Sequence, residues 1–200
     1  MSIDTARIEA AVLEILAAIG EDPARPGLVG TPNRIATAYG NFFAGLARDP
    51  LEPLAASIDF SGAHSVGAAV GRADIAELVL LRDIEFRSIC EHHLLPFYGV
   101  AHLAYLPNQR IVGLGALPMV VETLSARPQL QERLTEEIAD ALQTGLDARG
   151  VLVVLDATHG CVTARGSRQT RSTIVTLASR GILSRVAERT EIMTLIGVTR

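Results

Sequence analysis

The chain has 200 residues, of which 48% are hydrophobic, enough to bury a sizeable core within one domain. A formal net charge of −4 and a pI near 5.7 argue against a broad basic surface for nucleic acid or anionic membrane. No apolar run reaches the roughly 20 residues of a membrane span, and the N-terminus lacks the pattern of an export signal. We therefore expect a globular cytoplasmic protein whose partners are small molecules and other proteins.

The N-terminal quarter of the chain predicts a helical region. Apolar residues recur at helical spacing over residues 4 to 19, so this stretch is expected to form an amphipathic helix. After a Gly- and Pro-rich loop, Thr31 as N-cap and Pro32 at the first helical position predict a second helix that runs to about Leu46. The predicted organisation is a helical region over residues 1–50, a connecting segment over 51–74 and a catalytic domain over 75–200.

From residue 75 the pattern changes to strands. Apolar residues alternate or run continuously in 77–88, 99–107 and 109–115, which predicts an antiparallel meander. A short helix over 115–125 follows, and Pro128 is expected to open a longer helix that ends at Gly150. Residues 151–160, 161–166 and 172–179 are again strand-like, before a helical tail from Leu183. The predicted fold class is α+β, with helices on one face of an antiparallel sheet.

Two short segments concentrate metal-binding side chains. In SICEHHLLPFYG, Cys90 and His93 have a C-x-x-H spacing, with which a tight turn can point both side chains at one ion. In the second segment Cys161 follows His159 by two residues, and in a strand this spacing places both side chains on one face. Two alternatives remain. The cysteines could form a disulfide, which a reducing cytoplasm disfavours, or they could be buried thiols without a metal.

The donor set favours a catalytic zinc site. Two cysteines and one histidine match a zinc ion with three protein ligands and a fourth position for water, whereas a structural site would show four protein ligands. If His93 is a ligand, His92 points elsewhere and is free to act on substrate. His159 is the candidate general acid or base, because the ordinary histidine pKa lies near pH ~6.5. Zinc lowers the pKa of bound water towards ~7, so the pattern predicts metal-assisted hydrolysis.

The chain resembles the GTP cyclohydrolase I family over roughly residues 20 to 182. The segments CEHHLLPFYG, AYLP, IVGLG, RPQLQERL and THGCVTARG stand in the family's order and spacing, and GEDPARPGL with TPNRIA resembles its N-terminal helical region. The resemblance implies a T-fold domain whose sheets join into a barrel in a ring-shaped homodecamer, with active sites at subunit junctions. It also implies that Cys90, His93 and Cys161 hold zinc.

The resemblance further implies roles for individual residues. Water attacks C8 of a guanine-type purine, the imidazole ring opens and formate leaves, with His159 as proton shuttle and His92 near the ribose. Gln131 and Glu132 are expected to lie in the pocket that reads the guanine edge. The Glu132 carboxylate can accept both N1–H and the 2-amino group, although helical periodicity alone would make Glu132 a solvated position.

The positions that would bind the triphosphate depart from the family pattern. Leu114 and Arg165 match substrate-binding positions, but GLGALPM over 113–119 lacks the serine and both basic residues of the family's Gly-Leu-Ser-Lys-Leu-x-Arg. Thr37 stands where the family commonly has a lysine. Because each charge-assisted hydrogen bond contributes roughly 1.5 to 3 kcal/mol, we expect a substrate with fewer phosphates than GTP or none. A nucleoside, or a free base such as guanine or an oxidised purine, would fit.

Three alternatives to this hypothesis remain. Arg168 and Arg171 lie near Arg165 and could restore a phosphate site, which would give a true GTP cyclohydrolase I that makes 7,8-dihydroneopterin triphosphate and formate. A non-catalytic purine- or pterin-binding ring protein is the second alternative, but retention of His92 and His159 favours an enzyme. The third is a T-fold nitrile reductase with a cysteine nucleophile, against which the two potential metal-ligating partners of Cys90 argue.

Overall fold

The computed structural model describes residues 3–59 and 78–197 and confirms the predicted α+β class. In chain order the elements are α1 (Thr5–Ala18), α2 (Thr31–Phe42), β1 (Ile58–Asp59), β2 (Val79–Cys90), β3 (Pro96–Leu106), β4 (Arg110–Ile111), α3 (Ala116–Ser125), β5 (Pro128–Gln129), α4 (Gln131–Leu146), β6 (Gly150–His159), α5 (Gly160–Thr163), β7 (Ile174–Gly181) and α6 (Val186–Ile196). Short 3₁₀ turns occupy Ala44–Ala47, Glu52–Leu54 and Ile182–Ser184. None of the helices described is both long enough and apolar enough to span a bilayer.

A five-stranded sheet in the order β5-β2-β3-β6-β7 forms the centre of the structure. The pairs β2–β3, β3–β6 and β6–β7 are antiparallel, and the short β5 runs parallel to the end of β2. The β3–β6 ladder extends from Phe97 opposite His159 to Leu106 opposite Gly150. Because β2 ends where β3 begins, Cys90 and His159 lie at the same end of the sheet.

Helices cover both faces of this sheet. Leu103, Val153 and Leu155 point to one face and pack against α3 and α4. Their neighbours Leu152 and Val154 point to the other face and pack against α6 and the 3₁₀ turn before it. The sequence analysis placed helices on one face only, so the position of α6 is a correction. Apolar cover on both faces explains why Val151 to Leu155 are all fully buried.

The predicted N-terminal elements differ from the structure in their boundaries. Gly30, not Thr31, is the N-cap of α2, and Pro32 lies in the first turn as predicted. The helix ends at Phe42, because the chain then tightens into a 3₁₀ turn instead of continuing to Leu46. Part of the predicted connecting segment, residues 60–74, lies outside the described residues.

Three predictions in the second half of the chain are also corrected. The third strand of the meander is reduced to β4, which pairs with β1 in a separate two-stranded sheet. Pro128 does not open a helix: it lies in β5, an edge position that tolerates proline because no outward N–H is required. Residues 161–166 do not form a strand, because one helical turn, α5, and an exposed loop follow β6.

Gly99 on β3 provides a test of the close contact between β3 and β6. A Cβ atom at Gly99 would lie 1.9 Å from the main-chain oxygen of Asp156 on β6. We expect Gly99→Ala to lower the free energy of unfolding by about 1 to 3 kcal/mol, because the two strands must separate. Urea unfolding followed by circular dichroism measures this change.

The matched control is Gly40→Ala in α2, where an added Cβ meets no atom within 4 Å. It should raise the free energy of unfolding by about 0.5 to 1 kcal/mol, since alanine is the better helix former. Equal stability of the two variants would contradict the contact between β3 and β6.

Candidate active site

A tight turn between β2 and β3 brings His93 back onto Cys90. The N–H groups of His93 and Leu94 both donate to the carbonyl oxygen of Cys90, at 3.3 and 2.8 Å. The N–H of Cys90 donates to the carbonyl oxygen of Leu95 at 2.8 Å and closes the turn. Leu94 takes a left-handed conformation with φ of 51°. The C-x-x-H spacing therefore forms the tight turn that the sequence predicts.

Cys161, in α5 directly after β6, lies beside Cys90 and His93. A Cβ at Gly160 would lie 2.8 Å from the main-chain oxygen of Pro96, so the chain passes close to the start of β3. The ligand atoms of Cys90, His93 and Cys161 all lie within 4.8 Å of one another. Both cysteines are free thiols, so the disulfide alternative is not realised. The convergence of the three residues is as predicted, but a helical turn and not a strand produces it.

One distance between the candidate ligand atoms matches the spacing around a tetrahedral metal ion. With Zn–S of about 2.3 Å and Zn–N of about 2.0 Å, neighbouring ligand atoms should be about 3.6 Å apart. The distance from Cys90 Sγ to His93 Nδ1 is 3.7 Å. Burial raises the pKa of the Cys161 thiol and the nearby Cys90 raises it further, while the charge of Arg165 opposes this rise. A bound cation would stabilise the thiolate that burial disfavours.

A cavity of about 450 Å³ opens beside this group. Its wall includes the three candidate ligands, both predicted catalytic histidines, His92 and His159, and the first residues of α4. The sequence-predicted metal ligands and catalytic residues therefore share one cavity. Their arrangement can hold a metal ion and a planar ligand with a proton-transfer group next to them.

His159, the last residue of β6, is held on two sides. Its ring stacks on Phe97, with centroids 4.5 Å apart and planes 7° from parallel. Its Nε2 atom lies 2.7 Å from Oε1 of Gln131. Burial lowers the pKa of His159, and the charge of Glu132 partly opposes this effect. The site therefore favours the neutral imidazole, which can accept a proton.

Gln131 and Glu132 begin α4 and have different environments. The Gln131 side chain is buried, and its amide nitrogen donates to the main-chain oxygens of Leu155 and Ile174 at 3.2 and 2.8 Å. Glu132 is exposed in the first turn of the helix, where the helix dipole favours a carboxylate. Glu132 is therefore available to a ligand in the cavity, whereas the polar atoms of Gln131 are already paired.

The two other predicted substrate-binding residues, Arg165 and Leu114, lie outside the wall of this cavity. Arg165 is exposed in the loop after α5, close enough to Cys161 to affect its pKa. Leu114 is 61% exposed, follows β4 and does not line this cavity. Thr37 and Met119, at two of the positions that lack the family's basic residue, are also exposed and lie outside the cavity wall. Their lack of charge therefore does not alter the part of the site that one chain forms.

An ion-pair network that no sequence pattern indicated supports the metal-ligand turn. Arg133 on α4 forms an ion pair with Glu91, between Cys90 and His92 in the turn. Its Nε donates to Gln129 Oε1 at 3.0 Å, and Gln129 Nε2 donates to Glu137 at 2.7 Å. The hydrogen bond from Arg133 holds the pKa of Glu91 below its ordinary value. The i, i+4 spacing of Arg133 and Glu137 was visible in the sequence, but the partner in the turn was not.

Comparisons with known proteins show the family to which the chain belongs. The model of the GTP cyclohydrolase I family matches residues 8–197. A protein of Leifsonia xyli subsp. xyli named GTP cyclohydrolase 1 is 58% identical over 97% of this chain and 96% of its own. Proteins of the same name from Rhodopirellula baltica and Carboxydothermus hydrogenoformans are 51% and 50% identical, over 90% and 98% of this chain and 72% and 96% of theirs.

A crystal structure titled as the archaeosine synthase QueF-Like in the apo form superposes with a TM-score of 0.42. The identity is 14%, and the alignment covers 52% of this chain and 94% of that one. A likeness this weak carries no argument about the function of the chain.

The prediction of a substrate with fewer phosphates than GTP, or none, is wrong. Relatives that are 50 to 58% identical over nearly the whole chain carry the name of the enzyme that acts on GTP. That prediction was drawn from Thr37, Ala116 and Met119, which do not line the cavity of this chain, and neither does Arg165. Because the family match spans residues 8–197, the chain belongs to the GTP cyclohydrolase I family, hydrolases that act on C–N bonds of cyclic amidines.

Proposed function

We propose that the chain is a zinc-dependent GTP cyclohydrolase that opens the imidazole ring of GTP and forms formate and 7,8-dihydroneopterin triphosphate. The observation that carries this proposal is the Cys90, His93 and Cys161 group on the wall of the cavity that also holds His159 and Glu132. The family and the names of the relatives support the same reaction. A binding protein without catalysis would have no use for three metal ligands beside a proton-transfer group.

Six residues that line the cavity have proposed roles in this reaction. Zinc, when bound to Cys90, His93 and Cys161, supplies a Lewis acid that lowers the pKa of water towards ~7. Glu132 accepts hydrogen bonds from N1–H and the 2-amino group and so orients the base. His159 accepts a proton and returns it to a ring nitrogen bonded to C8 as the ring opens. His92, which also lines the cavity, is assigned to the ribose.

Arginines are proposed to bind the triphosphate. Arg165, Arg168 and Arg171 are exposed in the loop between α5 and β7, and none of them forms an ion pair with a residue that the structure describes. Guanidinium groups bind phosphate oxygens through paired hydrogen bonds. Three such groups in the loop that follows Cys161 and α5 would replace the lysine-based contacts that the family pattern would supply.

We propose that the domain over residues 75–200 is a T-fold and that copies of the chain assemble into a ring-shaped homodecamer. β7 is an edge strand, and its eight residues pair with β6 on one side only among the described residues. An open edge of this length pairs readily with another chain. Leu114, which is exposed and remote from this chain's cavity, would then belong to a site at a subunit junction. The helical region over 1–50 and the cytoplasmic location stay predictions.

The proposed substrate is tested by steady-state kinetics with GTP and guanosine, with formate release as the readout. We expect kcat/KM for GTP to exceed that for guanosine at least about a hundredfold. Two charge-assisted contacts of about 1.5 to 3 kcal/mol each suffice for this ratio. Equal turnover of the two compounds, or no formate from GTP, would rule out the proposed activity.

The metal site is tested by Cys161→Ala, with zinc measured by elemental analysis after dialysis. The variant should lose its zinc and its GTP turnover, because two ligands hold the ion far more weakly than three. The control is His92→Ala, which changes a residue of the same cavity outside the ligand group and should retain zinc. Retention of zinc by Cys161→Ala would remove that residue from the site.

The ion pair between Glu91 and Arg133 is tested by its effect on zinc affinity. We expect Glu91→Ala to weaken zinc binding by about tenfold, because the turn that carries Cys90 and His93 loses its link to α4. Arg133→Ala should have a similar effect, and the double variant should be no weaker than either single variant. Chelator competition measures the affinity.

The control is Asp140→Ala, which breaks an ion pair between α4 and Arg180 away from the cavity. It should leave zinc affinity unchanged. Fully additive losses in the Glu91 and Arg133 double variant would show that the two side chains act separately.

A further inference from the structure

We propose that Gln131 is a positioning residue for His159: its side-chain oxygen holds the Nε2–H of the imidazole and leaves Nδ1 as the nitrogen that meets the substrate. The inference deepens the proposed function, since it rests on His159 as the proton-transfer group. It assigns to Gln131 a different role from the guanine contact that the sequence analysis predicted.

The orientation of the Gln131 amide follows from its partners. Its Nε2 atom lies 3.2 Å from the main-chain oxygen of Leu155 and 2.8 Å from that of Ile174. Main-chain oxygens only accept hydrogen bonds, so the amide nitrogen must face them. The amide oxygen is then the atom that faces His159 Nε2, at 2.7 Å.

Two threonine hydroxyls confirm this orientation. Thr135 Oγ1 donates its one proton to the main-chain oxygen of Gln131 at 2.7 Å. The 2.6 Å contact between the hydroxyls of Thr135 and Thr176 must therefore be donated by Thr176. Thr176 Oγ1 then accepts from Gln131 Nε2 at 3.1 Å, so the two amide hydrogens are shared among three acceptors. A flipped amide would place its oxygen against two carbonyl oxygens and lose these bonds.

The fixed amide determines the tautomer of His159. Because the amide oxygen can only accept, His159 Nε2 must carry a hydrogen, and in the neutral ring Nδ1 is then unprotonated. Nδ1 has no hydrogen-bond partner among the described residues and is not among their buried unpartnered atoms. His159 lines the cavity, and its stacking on Phe97 fixes the plane of the ring. The Nδ1 lone pair is therefore the accessible proton acceptor.

The environment of Gln131 argues against a direct contact with guanine. The residue is 1% exposed, and each polar atom of its side chain has a protein partner. Glu132, the next residue, is exposed on the cavity wall and makes the better guanine reader. The two consecutive residues thus have separate roles, one towards His159 and one towards the base.

Two substitutions of Gln131 test the role in catalysis. Gln131→Met keeps the length of the side chain but lacks an oxygen to accept from His159 Nε2. Gln131→Glu keeps such an oxygen, and its buried carboxyl group, which burial keeps protonated, donates one hydrogen bond towards the main-chain oxygens that the amide nitrogen meets. In the zinc-loaded Met variant we expect kcat for GTP to fall at least about tenfold with KM within about twofold, since proton transfer depends on the position of the imidazole. The Glu variant should recover several-fold of the lost kcat.

Two results of this experiment would overturn the proposal. A raised KM with unchanged kcat would make Gln131 a substrate contact. Equal losses of kcat in both variants, accompanied by loss of zinc, would make it a structural residue only. Zinc content and the size of the assembly are measured on each variant to separate these outcomes.

A spectroscopic measurement on the unsubstituted zinc-loaded protein tests the tautomer without any turnover. In ¹⁵N-histidine-labelled protein at about pH 8, with His159 assigned by comparison with His159→Gln, we expect a protonated Nε2 and an unprotonated Nδ1. A protonated Nδ1 with a bare Nε2 would overturn the proposal. If the protein does not release formate from GTP while the expected tautomer is found, the proposed function fails and the positioning of His159 by Gln131 stands.

Discussion

The antiparallel ladder between β3 and β6 is the constraint on which the site depends. It places Phe97 opposite His159 at one end of the sheet, next to the turn that carries Cys90 and His93. The chain leaves β6 directly into α5, so Cys161 arrives beside Cys90 with little freedom. A shift of the ladder by one residue would turn the side chain of His159 to the opposite face.

Burial has opposite consequences for the two kinds of titratable group in the cavity. It lowers the pKa of His159 and raises that of Cys161, and both changes favour the uncharged form. For the histidine this is useful, since a neutral imidazole can take up a proton. For the thiol, burial makes the thiolate that binds metals less stable. A divalent cation offsets this effect, because metal binding favours the thiolate. Burial of the cavity therefore favours a neutral imidazole at His159 and, in the absence of a cation, a neutral thiol at Cys161.

The first turn of α4 connects the parts of the site. Three consecutive residues point in different directions, as a helical turn requires. Gln131 reaches His159, Glu132 reaches the cavity, and Arg133 reaches Glu91 in the metal-ligand turn. One helix thus positions the proposed base, the proposed guanine reader and the turn with the candidate metal ligands relative to one another.

The sequence by itself determined the chemistry and most of the elements. The C-x-x-H spacing, the two isolated cysteines and the periodic apolar residues are local patterns, and local patterns indicate ligand types, strands and helices. Sequence patterns gave wrong predictions where the outcome depends on contacts between distant parts of the chain. They suggested a strand at Cys161 and helices on one face of the sheet only. Only the tertiary structure decided these points, because they depend on strand register and on contacts between residues that are far apart in the chain. Hydrogen-bond direction at Gln131 is such a case: it follows from Leu155, Ile174 and two threonines that only folding brings together.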